Sequence, residues 1–262
     1  MKYIDIHCHL NHSDFDLDID EVINRAREKE IGMIVIGNDF ESSKKAIKIA
    51  EGKTMGENND IWATIGVHPT DINNEQFDFD SYSNIARNEK VIGIGECGLD
   101  YFRDGFKDRS YQEEIFVKQI DIANNTKKPL MLHLRNGMGS DENAYKDAIL
   151  LLKKHSQVHG NIHFFAGNWE EAKQFLDLGF RLSFTGVISF ARNYDEIIKN
   201  IPLNMIMAET DAPFVAPIPY RGNRNEPSYI KEIIKIIASI KGEDFEKVSN
   251  HLIDNARKLF LI

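Results

Sequence analysis

Apolar and polar positions along the chain follow two distinct patterns. Eight short runs are nearly continuous in Val, Ile, Met and Phe, which is typical of strands covered on both faces. Between and after these runs, apolar residues recur at helical spacing, as in Ile230, Ile233 and Ile234. The predicted strands lie at 2–6, 32–37, 61–67, 91–96, 129–134, 161–166, 180–185 and 204–209. The predicted helices lie near 18–30, 40–52, 75–89, 109–127, 141–158, 169–178, 192–200, 227–241 and 243–260.

The order of these elements indicates the fold. Strands that alternate with helices pair in parallel through right-handed crossovers. Eight such units favour a closed (β/α)8 TIM barrel, an α/β fold that typically needs about 250 residues. Because the chain has 262 residues, we predict a single domain, a hydrolase barrel, over 1–262. An open doubly wound sheet is the alternative, but no Gly-x-Gly-x-x-Gly turn follows the first strand, which disfavours its dinucleotide-binding form.

Composition narrows the class of protein. A hydrophobic content of 42% and a charged content of 28% are ordinary for a globular protein. The net charge of −9 argues against broad nonspecific adhesion to nucleic acid, although bound divalent cations would reverse the field within a cleft. There is no signal peptide pattern and no apolar stretch near the ~20 residues of a membrane span. We therefore expect a cytoplasmic protein that does not bind membranes, and the sequence leaves its oligomeric state open.

Ionisable side chains mark the carboxyl ends of the predicted strands. In a barrel these positions gather at one mouth, where the active sites of this fold lie. Burying so many imidazoles and carboxylates without a cation would cost several kcal/mol per ion, so a bound metal cluster is the simplest explanation. The residues are His7, His9, His68, Glu96, His133, Arg135, His163, Glu209 and Asp211.

Four of these imidazoles and two of the carboxylates form a mixed nitrogen and oxygen donor set. Such a set suits Zn, Mn, Ni or Fe and tolerates Mg. Six ligands exceed the four that one tetrahedral ion needs, so we predict two or three divalent ions, with Glu96 as the bridging ligand. The predicted metal ligands are His7, His9, Glu96, His133, His163 and Asp211.

Two further groups of residues are candidates for catalysis and for substrate binding. Glu209 and Asp211 share one face of the last strand, and we predict that Asp211 is the general base and that Glu209 is a second catalytic residue. Guanidinium groups bind phosphate in a planar, bidentate way, and Arg221 and Arg224 lie in the loop before a predicted helix. Metal ions that activate water would then support hydrolysis at phosphorus. The phosphate-binding candidates are Arg135, Arg221, Arg224 and His68.

Seven motifs, taken in order, resemble those of the TatD family of metal-dependent deoxyribonucleases, which are amidohydrolase-like barrels. The resemblance spans nearly the whole chain and implies a (β/α)8 barrel that hydrolyses DNA phosphodiester bonds, often from a 3′ end. It implies metal ligation by the same six residues. Some related proteins deacylate D-aminoacyl-tRNA. The motifs are Asp5-Ile6-His7-Cys8-His9-Leu10, Gly66-Val67-His68-Pro69, Gly93-Ile94-Gly95-Glu96-Cys97-Gly98-Leu99-Asp100-Tyr101, His133-Leu134-Arg135, His163-Phe164-Phe165-Ala166-Gly167, Glu209-Thr210-Asp211-Ala212-Pro213 and Arg221-Gly222-Asn223-Arg224-Asn225-Glu226-Pro227.

Several positions depart from the family pattern. Asn223 stands where Lys is common, Ala166 replaces a frequent Ser, and Thr70 replaces a frequent His. The continuation Asn136-Gly137-Met138-Gly139 after Arg135 is also unusual. None of these changes touches the six predicted ligands, so they bear on substrate preference more than on catalysis.

Three hypotheses about function follow. The first is a metal-dependent phosphodiesterase acting on DNA, with metal-activated water and exonucleolytic cleavage. The second is a hydrolase of a small-molecule amide or ester, or of D-aminoacyl-tRNA; barrels of that kind often carry a carboxylated Lys after strand 4, where this chain has Glu96. The third is a non-catalytic metal-binding protein, which the presence of both Glu209 and Asp211 disfavours.

Overall fold

The eight apolar runs form one sheet of eight parallel strands. The computed structural model of the protein describes residues 1–52, 59–72, 76–103, 109–138 and 142–262. Neighbouring strands in the sheet are also neighbours in sequence, from β1 to β8. The strands are β1 (Tyr3–Cys8), β2 (Ile31–Ile36), β3 (Ile61–Ile65), β4 (Val91–Asp100), β5 (Leu130–Arg135), β6 (Gly160–Ile162), β7 (Arg181–Phe184) and β8 (Ile206–Ala208).

Hydrogen bonds between the two ends of the sheet bring it to near closure. The backbone N–H of His9 donates to the carbonyl of Ala212 at 2.7 Å. The backbone N–H of Asp211 donates to the carbonyl of His7 at 2.9 Å. The segment after β8 is thereby joined to the end of β1, and the prediction of a (β/α)8 barrel is confirmed.

Helices follow the strands and cover the outside of the sheet. Helix α2 shows how the sequence sets their ends: Asp39 caps its first turn by accepting the N–H of Ser42, and Gly52 ends it at a φ of 72°. No helix in the described ranges is both long and apolar enough to cross a bilayer. The helices are α1 (Ile19–Glu28), α2 (Phe40–Glu51), α3 (Phe79–Ile85), α4 (Arg109–Thr126), α5 (Ala144–His155), α6 (Trp169–Asp177), α7 (Asp195–Asn200), α8 (Ile230–Lys241) and α9 (Phe245–Phe260).

Two predicted helices begin differently from the expectation. The segment predicted at 192–200 starts with a short 3-10 turn, Arg192–Tyr194, before α7. The segment predicted at 227–241 starts with the turn Pro227–Tyr229, because a proline fits the first position of a helical turn but donates no hydrogen bond. The first residues of the helices predicted at 75–89 and 141–158, and Gly139, lie outside the described residues.

The interior of the barrel is apolar toward the amino ends of the strands. There Ile4, Ile34 and Met131 pack with Ile253 and Phe260 of α9 in one buried cluster. Helix α9 passes the start of β1, where the Ser249 side chain reaches the carbonyl of Lys2 at 3.5 Å. This end of the barrel is therefore filled mainly by apolar side chains, and the predicted site residues lie toward the carboxyl ends of the strands.

Strand β4 is four residues longer than predicted, and this extension shapes the site. Asp100 pairs with Arg135 of β5 at its end. Gly98 permits the close approach of the two strands: its φ is 141°, and a Cβ there would lie 2.1 Å from the carbonyl oxygen of His133. Glu96 and Asp100 therefore lie on one continuous strand beside His133.

Candidate metal centre

Three buried imidazoles meet at the carboxyl ends of β1 and β6. The Nε2 atoms of His7 and His9 lie 3.1 Å apart. The ring of His163 stacks on that of His7 with 3.5 Å between centroids and 14° between planes. Because β7 and β8 lie between β6 and β1 in the barrel, this contact shows that side chains from non-adjacent strands meet at the mouth.

Glu96 lies between these imidazoles and His133. Its Oε2 atom is 3.5 Å from His7 Nε2 and 3.8 Å from His9 Nε2. Its Oε1 atom is 2.9 Å from His133 Nδ1 and 3.8 Å from His163 Nε2. The two oxygens thus face two different groups of nitrogen atoms, which is the position expected of a bridging carboxylate.

Asp211 completes the cluster from the loop after β8. Its Oδ1 atom is 3.4 Å from His9 Nε2 and 3.8 Å from His7 Nε2. The residue has a φ of 56°, a left-handed conformation that costs a non-glycine residue about 1–3 kcal/mol and that recurs at functional sites. Its bond to the carbonyl of His7 holds it there, so the backbone aims this carboxylate at the imidazoles.

A second pair of carboxylates lies behind two of the imidazoles. Glu209, which is fully buried, places Oε1 3.0 Å from Nδ1 of His163 and also accepts from the Phe164 N–H at 2.6 Å and the Ser183 hydroxyl at 2.8 Å. Asp100 Oδ2 lies 3.0 Å from Nε2 of His133. In each ring the other nitrogen remains for the centre, as is usual when a carboxylate orients a metal-binding histidine.

Burial and the charges within the cluster shift the pKa values of its side chains. Burial alone would raise the pKa of Glu96, but the surrounding histidines hold that pKa well below its usual range. Burial alone would lower the pKa of His163, yet the charge and hydrogen bonding of Glu209, with Glu96 and Asp211 nearby, raise the pKa to about 10. Burial, together with the charge of His163, lowers the pKa of His7. Some of these histidines therefore hold protons when no cation is bound, and a divalent ion would have to displace protons in order to bind.

The spacing of the donor atoms fits divalent cations. At metal–ligand distances of about 2.0–2.1 Å, a tetrahedral ion separates its ligand atoms by about 3.3–3.5 Å. The His7, His9 and Asp211 atoms are 3.1–3.8 Å apart, and those of His7 and His9 with Glu96 are 3.5 and 3.8 Å apart. Among the described residues, groups able to hold an ion are His7, His9 and Asp211; His7, Glu96 and His163; and His68, Glu96 and His133.

All of these donors except His7, which is fully buried, line a cavity of about 740 Å³. Arg103 and Arg135 also line it, within the ranges that the structure describes. Against these two cationic side chains stand the acidic side chains Asp39, Asp71, Glu96 and Asp211. Bound divalent ions would add positive charge beside these carboxylates and make the cavity more attractive to anions.

The predicted phosphate-binding residues fall into two groups. Arg135 lines the cavity and stacks on Phe102, 3.8 Å from the ring centroid, and His68 lies on its wall, 3.5 Å from Glu96. Arg221 instead stacks on Phe190, and Arg224 pairs with Asp18 at 2.8 Å through Nη1; neither is among the lining residues. The structure thus brings two of the four candidates to the centre.

Of the predicted catalytic pair, the structure brings Asp211 into the cavity but not Glu209. Glu209 has both oxygens engaged by His163, Phe164 and Ser183 and is not among the lining residues.

Asp100 and Arg103 lie at the site but were not among the predicted site residues, and Thr70 was noted only as a departure from the family pattern. Asp100 could have been found, because Glu96 and Asp100 lie an even number of residues apart and would share a face if the strand continued. Arg103 carried no such signal, because it lies in the loop that follows β4.

An eight-stranded parallel barrel with this donor set at its carboxyl ends defines a metal-dependent barrel enzyme. The family model for TatD related DNase matches residues 4–261. The chain is 37% identical to the uncharacterized metal-dependent hydrolase YabD of Bacillus subtilis over 98% of each chain, and 32% identical to the 3′-5′ ssDNA/RNA exonuclease TatD of a Rahnella strain, also over 98% of each. Its fold matches the crystal structure of YJJV, a TatD homologue from Escherichia coli, with a TM-score of 0.89, 24% identity and coverage of 100% of this chain and 98% of that chain.

The chain therefore belongs to the TatD-related DNase family, and it is a metal-dependent hydrolase. The family resemblance drawn from the seven motifs is confirmed.

Proposed function

We propose that the protein is a cytoplasmic exonuclease that hydrolyses DNA phosphodiester bonds from the 3′ end, with metal-activated water as the nucleophile. The observation that carries the proposal is the convergence of six nitrogen and oxygen ligands, five of which line a cavity that Arg135 also lines. The name of the Rahnella relative, a 3′-5′ ssDNA/RNA exonuclease, supports the same chemistry and polarity.

In this proposal the predicted ligands are shared between two divalent ions. His7, His9 and Asp211 would hold one ion, His133 and His163 the other, and Glu96 would bridge them. Zn, Mn, Ni and Mg all suit nitrogen and oxygen ligands of this kind. When bound, such ions lower the pKa of water toward about 7 and stabilise both the attacking and the leaving oxygen of a phosphodiester.

The side chains of the protein supply the rest of the chemistry. We propose that Asp211, at the edge of the cavity, accepts the proton of the nucleophile, and that Arg135 and His68 contact the phosphate oxygens. Glu209 contributes by orienting His163 rather than by touching substrate. Arg221 and Arg224 lie outside the cavity, so as phosphate contacts they would serve nucleotides beyond the scissile bond.

The test compares substrates on the same metal-reconstituted preparation. Oligonucleotides labelled at the 5′ end, as single-stranded DNA, duplex DNA and RNA, are incubated in parallel with a D-aminoacyl-tRNA. The proposal predicts a ladder that shortens progressively from the 3′ end of the single-stranded DNA. Release of the amino acid from tRNA without any shortening of the oligonucleotides would contradict it and favour the aminoacyl-ester hypothesis.

Two variants show whether the observed activity belongs to this site. His163→Ala removes a ligand from the cluster and is expected to abolish the ladder. His155→Ala is the matched control, because His155 ends α5 just before β6 begins and so lies at the opposite end of the barrel. Equal activity in both variants would assign the cleavage to a contaminating nuclease.

A further inference from the structure

A line of hydrogen bonds leads from the rim of the cavity to His68. Arg103 donates through Nη1 to Oγ1 of Thr70 at 3.2 Å. Thr70 Oγ1 lies 2.6 Å from Nδ1 of His68, and the backbone N–H of Thr70 donates to the same nitrogen at 3.1 Å. A guanidinium group can only donate, so it leaves the Thr70 hydroxyl free to donate its own hydrogen to His68.

The direction of these bonds fixes the tautomer of His68. Two donors converge on Nδ1, so this nitrogen must present its lone pair, and the ring hydrogen must be on Nε2. An acceptor at Nδ1 would favour the opposite tautomer, but the Oδ2 atom of Asp71 is 3.9 Å from Nδ1, beyond hydrogen-bond distance. The Nε2–H group faces the metal centre, where Nε2 lies 3.5 Å from Oε1 of Glu96.

This tautomer separates two possible roles for His68. By distance alone, His68, Glu96 and His133 could hold a third ion. A metal ligand, however, needs the lone pair of the nitrogen that faces the ion, and in His68 that nitrogen carries hydrogen. A hydrogen-bond donor aimed at the cavity suits instead an oxygen that gains negative charge during hydrolysis.

We propose that Arg103 and Thr70 hold His68 as an Nε2–H donor to an oxygen of the scissile phosphate, so that His68 is not a ligand of a third ion. The identity of that oxygen rests on the proposed nuclease function, whereas the tautomer and the number of bound ions do not. Arg103 and Thr70 are positioning residues here, since they act through His68. Thr70 is one of the positions at which this chain departs from the family pattern described above.

The tautomer can be observed directly. Full-length protein labelled with ¹⁵N at histidine and loaded with Zn²⁺ is studied by long-range ¹H–¹⁵N correlation, with His68→Gln to assign the signals. We expect His68 to show a protonated Nε2 and an unprotonated Nδ1. Thr70→Val with Arg103→Met removes the side-chain donors, and the Nε2–H form should lose population in this double variant. A protonated Nδ1 in the wild type would overturn the proposal.

The number of bound ions provides a second test that is independent of activity. Zinc content per chain, measured by mass spectrometry after equilibrium dialysis, should be the same in the wild type and in His68→Gln. The loss of one ion from His68→Gln would show that His68 is a metal ligand and would overturn the proposal.

Kinetics on single-stranded DNA then tests the donor role. His68→Leu removes the donor and should lower kcat by about 10²–10³-fold, the usual cost of one hydrogen-bond donor to a developing oxyanion. His68→Gln places an amide N–H near the same position and should recover part of this loss. Arg103→Met should lower kcat, whereas the control Arg87→Met, at an exposed arginine just after α3, should not.

These outcomes distinguish the proposal that His68 is a hydrogen-bond donor from the proposal that the protein is a nuclease. Wild-type kinetics in His68→Leu would refute the donor role while leaving the nuclease proposal in place. If the wild type cleaves no oligonucleotide, the nuclease proposal fails, and the tautomer and zinc content still decide whether His68 is a donor or a ligand.

Discussion

Glu209→Gln is the substitution that best distinguishes the two roles open to this buried carboxylate. In the structure Glu209 lies behind His163, with Oε1 3.0 Å from Nδ1 and additional bonds from the Phe164 N–H and the Ser183 hydroxyl. Glutamine has the same shape, and its amide oxygen can still accept from Phe164. The Ser183 hydroxyl can turn toward the carbonyl of Ile162, 3.3 Å away. The fold should therefore survive, while the negative charge behind His163 is lost.

The expected effect is on metal affinity. Replacing the carboxylate that orients a metal-binding histidine typically weakens metal binding about 10–100-fold, or about 1.4–2.8 kcal/mol. The high pKa of His163 shows how strongly the carboxylates around it act: they overcome the effect of burial and raise the pKa to about 10. At saturating metal, Glu209→Gln should recover most of the wild-type kcat, since Glu209 does not touch the substrate.

The assay is a titration of metal binding with a competing chromophoric chelator, followed by activity measured against free metal concentration. Glu170→Gln, on the exposed face of α6, is the matched control and should behave as the wild type. An unchanged metal affinity in Glu209→Gln together with a kcat that saturating metal does not restore would refute the reasoning. That result would instead place Glu209 among the groups that transfer protons.

Three further predictions concern the base, the pH dependence and the buried hydrogen bonds. Asp211→Asn should abolish hydrolysis while urea unfolding remains cooperative; turnover at the wild-type rate would exclude Asp211 as the base. In the metal-free protein, the pKa of His163 is raised to about 10 from the ordinary histidine value of about 6.5, so its stabilising contribution is full below about pH 6.5 and is lost as pH rises toward 10. Urea unfolding from pH 6.5 to 9.5 should show this decline, and Glu209→Gln should reduce it; an equal decline in both proteins would refute the assignment. Thr210→Val removes the hydroxyl that donates to the buried Asp5 and should lower the free energy of unfolding by about 1–3 kcal/mol, whereas an unchanged value would show that the backbone bonds to Asp5 suffice.

The sequence predicted the barrel well because its signals were local and repeated. Each strand is a short apolar run, and several helices, such as α1, α8 and α9, have a clear amphipathic pattern, so eight units could be counted without knowledge of tertiary contacts. The cluster of His7, His9, Glu96, His133, His163 and Asp211 followed from one rule: the carboxyl ends of the strands meet at one mouth.

The parts of the site that were not predicted depend on contacts between distant segments. Arg224 was expected to bind a phosphate, but the carboxylate of Asp18, which lies just before α1, binds its guanidinium group. No local sequence pattern predicts an ion pair between residues that are 206 positions apart. Glu209 was assigned to catalysis because it follows a strand, and only the position of His163 shows that this carboxylate faces another side chain.

Asp100 illustrates a different difficulty, the end of a strand. The predicted strand ended at Glu96, and glycine, which follows at position 98, is uncommon inside strands. In the barrel, Gly98 instead allows β4 to pass close to the carbonyl of His133, and the strand continues to Asp100. Local propensity could not reveal this, because the requirement for glycine comes from the neighbouring strand.

Anomalous scattering from crystals of the protein loaded with Mn²⁺ or Zn²⁺ is the most direct test of the metal centre. The account predicts anomalous peaks on the floor of the cavity, one beside His7, His9 and Asp211 and one beside His133 and His163, with Glu96 between them. Peaks bound by other residues, or a cavity floor without anomalous density at saturating metal, would contradict it.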